Sequence, residues 1–188
     1  MSARDAKSLQ ADLLLSPELA NEAVQPSASL RAAVLRSLAA PAALAGYTRR
    51  MAQLFDLPEV RASELLAIAK RREDEAWVAA PLEITGKRDG TRLVHFVGGP
   101  RVAAADCGLV SVEPGVRFAE HAHEGDEWSL VLAGAAQEEG TEATWLPGDL
   151  VHRAAGSRHA FRVTSAEPFV FAVVLEAPIR PTEDPGGR

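Results

Sequence analysis

The stretch from Gly115 to Gly134 constrains the fold of this chain more than any other part of its sequence. It reads GVRFAEHAHEGDEWSLVLAG, with a His-x-His element six residues after the first glycine and a glutamate four residues after the second histidine. Side chains alternate along an extended strand, so His121 and His123 point to one face, about 7 Å apart along the chain. Two imidazoles at that spacing can converge on one ion. The pattern therefore predicts a strand that contributes to a metal site.

Two further ligands are predicted from turn signals. Glu127 follows the turn-like triplet Glu124-Gly125-Asp126, which allows its carboxylate to swing back over the histidine face. His159 lies after Gly156, whose flexibility suits a tight turn, and at the start of an apolar run. Three imidazoles and a carboxylate suit a divalent zinc, iron, manganese, nickel or copper ion, and the donor set alone does not choose among them.

Continued alternation beyond these ligands predicts the wall of a pocket. Trp128 and Leu130 are expected to face outward. The residues expected to face inward are Arg117, Ala119, Ser129, Val131 and Phe161. Such a pocket is mostly apolar and suits a small, partly hydrophobic ligand held by the ion and by Arg117. The alternative for Arg117 is a solvated charge at the mouth of the pocket.

The N-terminal part of the chain, residues 8–72, predicts four helices, each with one apolar stripe. The first begins at Ser16-Pro17-Glu18, the second is capped by Ser29, and the fourth begins at Pro58. The stripe of the third helix carries Tyr47, Met51, Leu54 and Phe55. We expect these stripes to pack on one another or on a barrel, and a partner-binding surface is the alternative. Residues 1–76 are accordingly predicted to form a helical region.

From Trp77 onward, short apolar segments alternate with turn signals such as Gly98-Gly99-Pro100. This texture predicts an antiparallel barrel over residues 77–177, followed by a flexible tail over residues 178–188. The segments with strand length and strand composition are Leu93 to Val97, Cys107 to Val112, Ser129 to Ala133, Ala143 to Leu146 and Phe169 to Leu175.

Composition excludes several classes of function. The net charge is -6 and the basic residues are interleaved with acids, so a nucleic-acid partner is not expected. Cys107 is the only cysteine, which excludes an internal disulfide and a multi-cysteine zinc site. The first residues, MSARDAKSLQADLLL, lack the long apolar stretch of a signal peptide or membrane span. We therefore expect a cytoplasmic protein with no membrane association.

Taken together, these motifs resemble those of a cupin. The positions at the spacing of the first cupin motif are Gly115, His121, His123, Glu127 and Gly134, and those matching the second are Gly148, Gly156 and His159. Ala154 and Val163 depart from the second motif, where the family often has proline and asparagine. The resemblance implies an all-β cupin barrel, a jelly roll or double-stranded β-helix, preceded by the α-helical region. A cupin that has lost its metal is the alternative.

A narrower resemblance concerns residues 96–134 and 146–161, which look like the cupin domain of ChrR-type anti-sigma factors. The segment QPSASLRAAVLRSL also looks like part of that group. The resemblance implies a zinc-binding regulator of a stress response, with a sigma factor or another protein as partner. Iron, manganese and nickel are alternatives to zinc. The N-terminal zinc ligands of that group have no counterpart, because no histidine precedes His95.

Two functions therefore compete. The first is a ChrR-like regulator whose barrel senses a small molecule or oxidant. The second is a metalloenzyme, such as a dioxygenase, isomerase or lyase, with a coordination position open for its substrate. A homodimer is also expected, because Trp128, Leu130 and Leu132 form an apolar stripe on the outer face of the barrel. The alternative is that the N-terminal helices cover this stripe within one chain.

Overall fold

The computed structural model describes residues 46–71, 75–79 and 90–182. The helices predicted before residue 46 lie outside this part of the chain. The described elements, in chain order, are helices α1 (Thr48–Phe55) and α2 (Glu59–Lys70) and strands β1 (Val78–Ala79), β2 (Thr91–Phe96), β3 (Asp106–Val112), β4 (Arg117–His123), β5 (Glu127–Ala133), β6 (Ala136–Glu138), β7 (Thr144–Trp145), β8 (Leu150–Arg153), β9 (Arg158–Val163), β10 (Phe169–Leu175) and β11 (Ile179–Pro181). Each of the five predicted strands overlaps one of these strands.

The strands form two antiparallel sheets that pack face to face as a jelly-roll barrel. The first sheet has the order β1-β2-β3-β10-β5-β8, and the second has the order β11-β4-β9-β6-β7. Their inner faces share one apolar core, to which Val110 and Phe171 contribute from the first sheet and Phe118 and Phe161 from the second. The fold class predicted from the sequence, an all-β barrel after a helical region, is confirmed.

Helices α1 and α2 cover the outer face of the first sheet. Phe55 of α1 packs edge-on against Phe96 of β2, with ring centroids 4.8 Å apart. Leu130 and Leu132 belong to the same core as the helices and are 1% and 2% exposed. The alternative in which helices cover the outer stripe therefore holds for these two leucines. Trp128 remains 37% exposed, and the homodimer stays a prediction.

No helix in residues 46–71, 75–79 and 90–182 is long and apolar enough to cross a membrane.

The chain continues as ordered structure beyond the barrel boundary set from the sequence. The flexible tail was predicted to begin at residue 178, but Ile179–Pro181 form strand β11, which pairs with His121 to His123 of β4. The connection before β11 packs tightly against the β4–β5 turn, because a Cβ atom on Gly125 would lie 2.7 Å from the backbone nitrogen of Ala177. Three residues are too few to show a strand pattern in a sequence that is rich in proline and charge.

We predict that Phe55→Ala lowers the free energy of unfolding by about 3–5 kcal/mol, because a fully buried ring is replaced by a cavity. Urea unfolding followed by fluorescence measures the change. Val60→Ala is the matched control, since Val60 is 70% exposed on α2 and its truncation should change stability by less than about 0.5 kcal/mol. Equal losses in the two variants would show that the helices are not packed on the sheet as described.

Candidate metal centre

Antiparallel pairing between β4 and β9 brings the predicted histidines together. His121 of β4 lies directly opposite His159 of β9, and His123 follows on the same face of β4. The three side chains are buried, with exposed fractions of 2% to 7%. Each histidine offers one nitrogen that lies within 4.8 Å of the nitrogens offered by the other two. An ion with metal–nitrogen bonds of about 2.0–2.1 Å holds its ligand atoms about 3.4 Å apart, so small side-chain adjustments close the site.

The hydrogen bonding of these histidines fits a metal ligand set. Both ring nitrogens of His123 and of His159 are buried without a hydrogen-bond partner. His121 Nδ1 lies 3.0 Å from the carbonyl oxygen of Ala119. A carbonyl only accepts, so Nδ1 carries the hydrogen and Nε2 keeps a free lone pair, as in many metal-bound histidines. Three buried histidines thus form a site that can hold a metal ion.

The protonation of the cluster also favours a cation. Burial, together with the nearby His121 and the positive charge on Arg153, lowers the pKa of His123 to about 4 and that of His159 to about 2. Burial likewise lowers the pKa of His121. All three imidazoles are therefore neutral at pH 7, and each has a lone pair available for coordination.

Glu127 lies beside the histidine cluster rather than within it. One carboxylate oxygen, Oε1, accepts a hydrogen bond of 2.7 Å from the Ser129 hydroxyl, and the other, Oε2, lies 3.4 Å from His123 Nδ1. Burial raises the pKa of this carboxyl group, although the Ser129 hydroxyl and the Arg153 charge partly offset the increase. The structure thus places the predicted fourth ligand next to the site, with its charge unfavourable there unless a cation is near.

An apolar cavity of about 160 Å³ adjoins the cluster. His159 and Glu127 form part of its wall. His95 and Asp106 also line it, with a 3.0 Å hydrogen bond between them and side chains more than half exposed. The remaining wall is almost entirely hydrophobic. Ser129 is a polar member of this wall. Its large apolar members are Leu93, Val110, Phe118, Val131, Trp145, Phe161, Phe171 and Val173.

Three of the five residues predicted to face inward, Ser129, Val131 and Phe161, line this cavity, and Arg117 and Ala119 do not. The guanidinium of Arg117 instead pairs with the carboxylate of Glu139 at 2.9 Å, with both side chains about one third exposed. This corresponds to the alternative of a solvated charge.

A β-bulge explains the placement of Arg117. The β4–β9 register shifts between Phe118, which pairs with Phe161, and His121, which pairs with His159. Between these two pairs β4 has two residues and β9 has one. An extra residue reverses the alternation on one side of the bulge. Phe118 therefore shares the inner face with His121, and it stacks on Phe161 with centroids 5.0 Å apart. Uninterrupted alternation had placed Arg117 and Ala119 there instead.

Sequence reasoning also missed Arg153 and Trp145. Arg153 is the cross-strand partner of Glu127, and Val151, two residues earlier on β8, lines the cavity. Alternation from Val151 was the available signal for an inward-facing arginine. No comparable signal marked Trp145, which lies on a strand of only two residues.

Most of the barrel resembles a known protein family. Residues 108–175 match the family model of the cupin domain. No curated protein sequence matches the chain.

Similar solved structures include an acetylacetone dioxygenase from Acinetobacter johnsonii, at 18% identity and a TM-score of 0.49, covering 62% of this chain and 78% of that chain. A second is the polyketide cyclase RemF from Streptomyces resistomycificus, at 20% identity and 0.49, covering 61% and 84%. A third is the DMSP lyase DddQ from Ruegeria pomeroyi, at 22% identity and 0.49, covering 69% of each chain. Similarities this remote assign no activity to the present chain.

We predict that the double variant His121→Ala, His123→Ala retains none of the bound divalent metal, since two of three converging nitrogens are lost. Elemental analysis of purified protein after loading with one equivalent of metal and desalting measures this. The control is His152→Ala, which removes an exposed histidine hydrogen-bonded to Asp126 and should leave the metal content unchanged. Equal metal content in wild type and the double variant would refute the site.

We predict that the metal-free protein loses stability as the pH falls from about 6.5 to about 4. The folded-state pKa values of His123 and His159 are depressed to about 4 and about 2, so in this window unfolded histidines take up protons that folded ones do not. The raised pKa of Glu127 acts in the opposite direction, because the folded state then binds that proton more readily. Urea unfolding of wild type and His159→Gln across this range isolates one histidine. A stability difference between them that does not change with pH would contradict the prediction.

Proposed function

We propose that this cupin domain is a metalloenzyme that binds one divalent ion through His121, His123 and His159 and acts on a small, largely apolar molecule. The observation that carries the proposal is the position of His159 and Glu127 in the wall of a hydrophobic cavity whose lining also includes the exposed His95. An ion held by the histidines would adjoin this cavity, where a small molecule could reach it. A purely structural site would be closed by its protein ligands.

The ion, when bound, would supply Lewis acidity toward an oxygen of the substrate. The protein residues supply the surroundings. The hydrogen bond to Ala119 fixes the orientation of His121. Because the three imidazoles are neutral, they would not reduce the positive charge of a bound ion. Phe161 and Phe171 contribute apolar wall to the cavity, and an apolar wall strengthens electrostatic interactions within it.

Glu127 is proposed as the fourth ligand, as the sequence motif predicts, or as the group that accepts a proton at Oε2 in its present position. Burial raises the pKa of this carboxyl group, and a raised pKa makes the carboxylate a stronger base. Ser129 holds the other oxygen and so limits rotation of the carboxylate.

Zinc is the ion that the resemblance to ChrR-type proteins implies, and iron, manganese and nickel suit the same donors. Elemental analysis of protein purified without added metal also tests the function. Bound zinc would favour a sensor or structural role, whereas bound iron or manganese would favour catalysis.

The regulatory role is the second candidate, supported by the sequence resemblance to ChrR-type anti-sigma factors. The apolar stripes of α1 and α2 pack against the barrel, so those faces are engaged within the chain. A protein partner would need other surfaces, and residues 1–45 carry the segment that resembles the anti-sigma group. Copurification with a coexpressed sigma factor tests this role.

We predict that azide shifts the visible absorption of the cobalt-loaded protein, because an open coordination position accepts an external ligand.

We also predict that the loaded protein consumes at least one component of a small-molecule extract. Mass spectrometry of the extract before and after incubation measures the loss. Val151→Trp should abolish consumption while retaining metal, because Val151 lines the cavity. Leu150→Trp is the control, since Leu150 is 50% exposed and faces outward. A spectrum unaffected by azide, with no component consumed, would contradict the proposal.

A further inference from the structure

Arg153 places a positive charge inside the barrel, next to the candidate metal centre. It stands on β8 directly opposite Glu127 on β5, and cross-strand partners share a face of the sheet. Its side chain is 20% exposed. Arginine is seldom buried to this extent without a specific partner, so its contacts indicate what it does.

The contacts of Arg153 leave part of the guanidinium unused. One terminal nitrogen donates a 2.7 Å hydrogen bond to Glu138, and the guanidinium carbon lies 5.2 Å from the ring centroid of Trp145, which itself lines the cavity. The Nε atom is buried and has no hydrogen-bond partner. Guanidinium donors form a planar fork that matches a carboxylate. An oxyanion ligand is therefore a suitable acceptor for the unused donor.

The charges around the cluster point to the same kind of ligand. The field of Arg153 reaches the whole centre, because it lowers the pKa values of all three histidines and of Glu127. Glu138, only 12% exposed, pairs with Arg153, and Glu127 stands opposite it, whereas Glu120 lies close enough to His121 to raise the pKa of that imidazole. The positive charge of Arg153 attracts an anionic group of a ligand that binds at this centre.

We infer that Arg153 is a specificity-determining residue that recognises a carboxylate on the ligand of this centre, with the hydrocarbon part of that ligand in the apolar cavity. The inference rests on the proposed function, since it assigns the substrate class of the same site: small carboxylates with an apolar body. A purely structural Arg153 would only tie β8 to β6 through Glu138.

The test uses the full-length, cobalt-loaded protein and two probes of similar shape, benzoate and its neutral counterpart benzamide. Titration calorimetry and the cobalt absorption report binding of each probe. We expect Arg153→Gln to weaken benzoate binding by about tenfold or more, as expected for loss of a hydrogen bond to a charged group, and to change benzamide binding by less than about threefold. Arg162→Gln is the control, because Arg162 is 51% exposed and pairs with Glu139.

A second variant gives an independent reading if Arg153→Gln does not fold. Glu138→Gln removes the carboxylate that competes for the guanidinium, so benzoate affinity should rise by about threefold or more while that of benzamide stays the same. A structural ion pair predicts no gain for either probe. The metal content of every variant is measured first, so that binding is compared only between loaded proteins.

The outcomes separate the two claims. Bound cobalt with equal losses for benzoate and benzamide in Arg153→Gln, or with no loss for benzoate, overturns the inference and leaves the proposed function standing. Absence of bound cobalt in the unmodified protein overturns the proposed function and the inference with it. Selective loss for benzoate in Arg153→Gln, together with its retention in Arg162→Gln, establishes the carboxylate specificity.

Discussion

The pairing of β4 with β9 is the constraint on which the rest of the site depends. It sets His121 opposite His159 and, through the bulge after Phe118, turns both Phe118 and His121 toward the barrel interior. A strand without the bulge would carry a charged residue, Arg117, into the space that an aromatic ring now fills. The bulge thus joins two functions of one strand: its first part builds the apolar wall, and its last part supplies metal ligands.

The central strands of the first sheet, β3 and β10, are buried on both faces. The inner face of this sheet packs against the second sheet, and Leu130 and Leu132 on its outer face pack under α1 and α2. A sheet that is covered on both sides resists bending, since any displacement opens cavities in two cores at once. Glu127 lies on β5, next to these central strands, and Arg153 on the edge strand β8, while the histidines belong to the other sheet.

The sequence allowed the barrel and the histidine cluster to be predicted because their signals are local. A His-x-His spacing on a strand fixes a shared face, and short apolar runs between turns fix the fold class. Phe118 was not predicted to face inward, because the sequence pattern of β4 does not show where a bulge interrupts the alternation of its side chains. Arg153 escaped because its role depends on Glu138 and Trp145, which pairing between distant segments brings to it. Contacts across the barrel cannot be read from spacing along one strand.

The polar groups at the centre are costly to bury unless a cation joins them. His123 and His159 have nitrogens without partners, and the pKa of Glu127 is raised because its charge is poorly solvated. A divalent ion gives the imidazole lone pairs a partner and favours the ionised carboxylate. An ion bound by the histidines of β4 and β9 and also by Glu127 of β5 would tie the two sheets together. The energy of metal binding would then be part of the folding energy of the barrel.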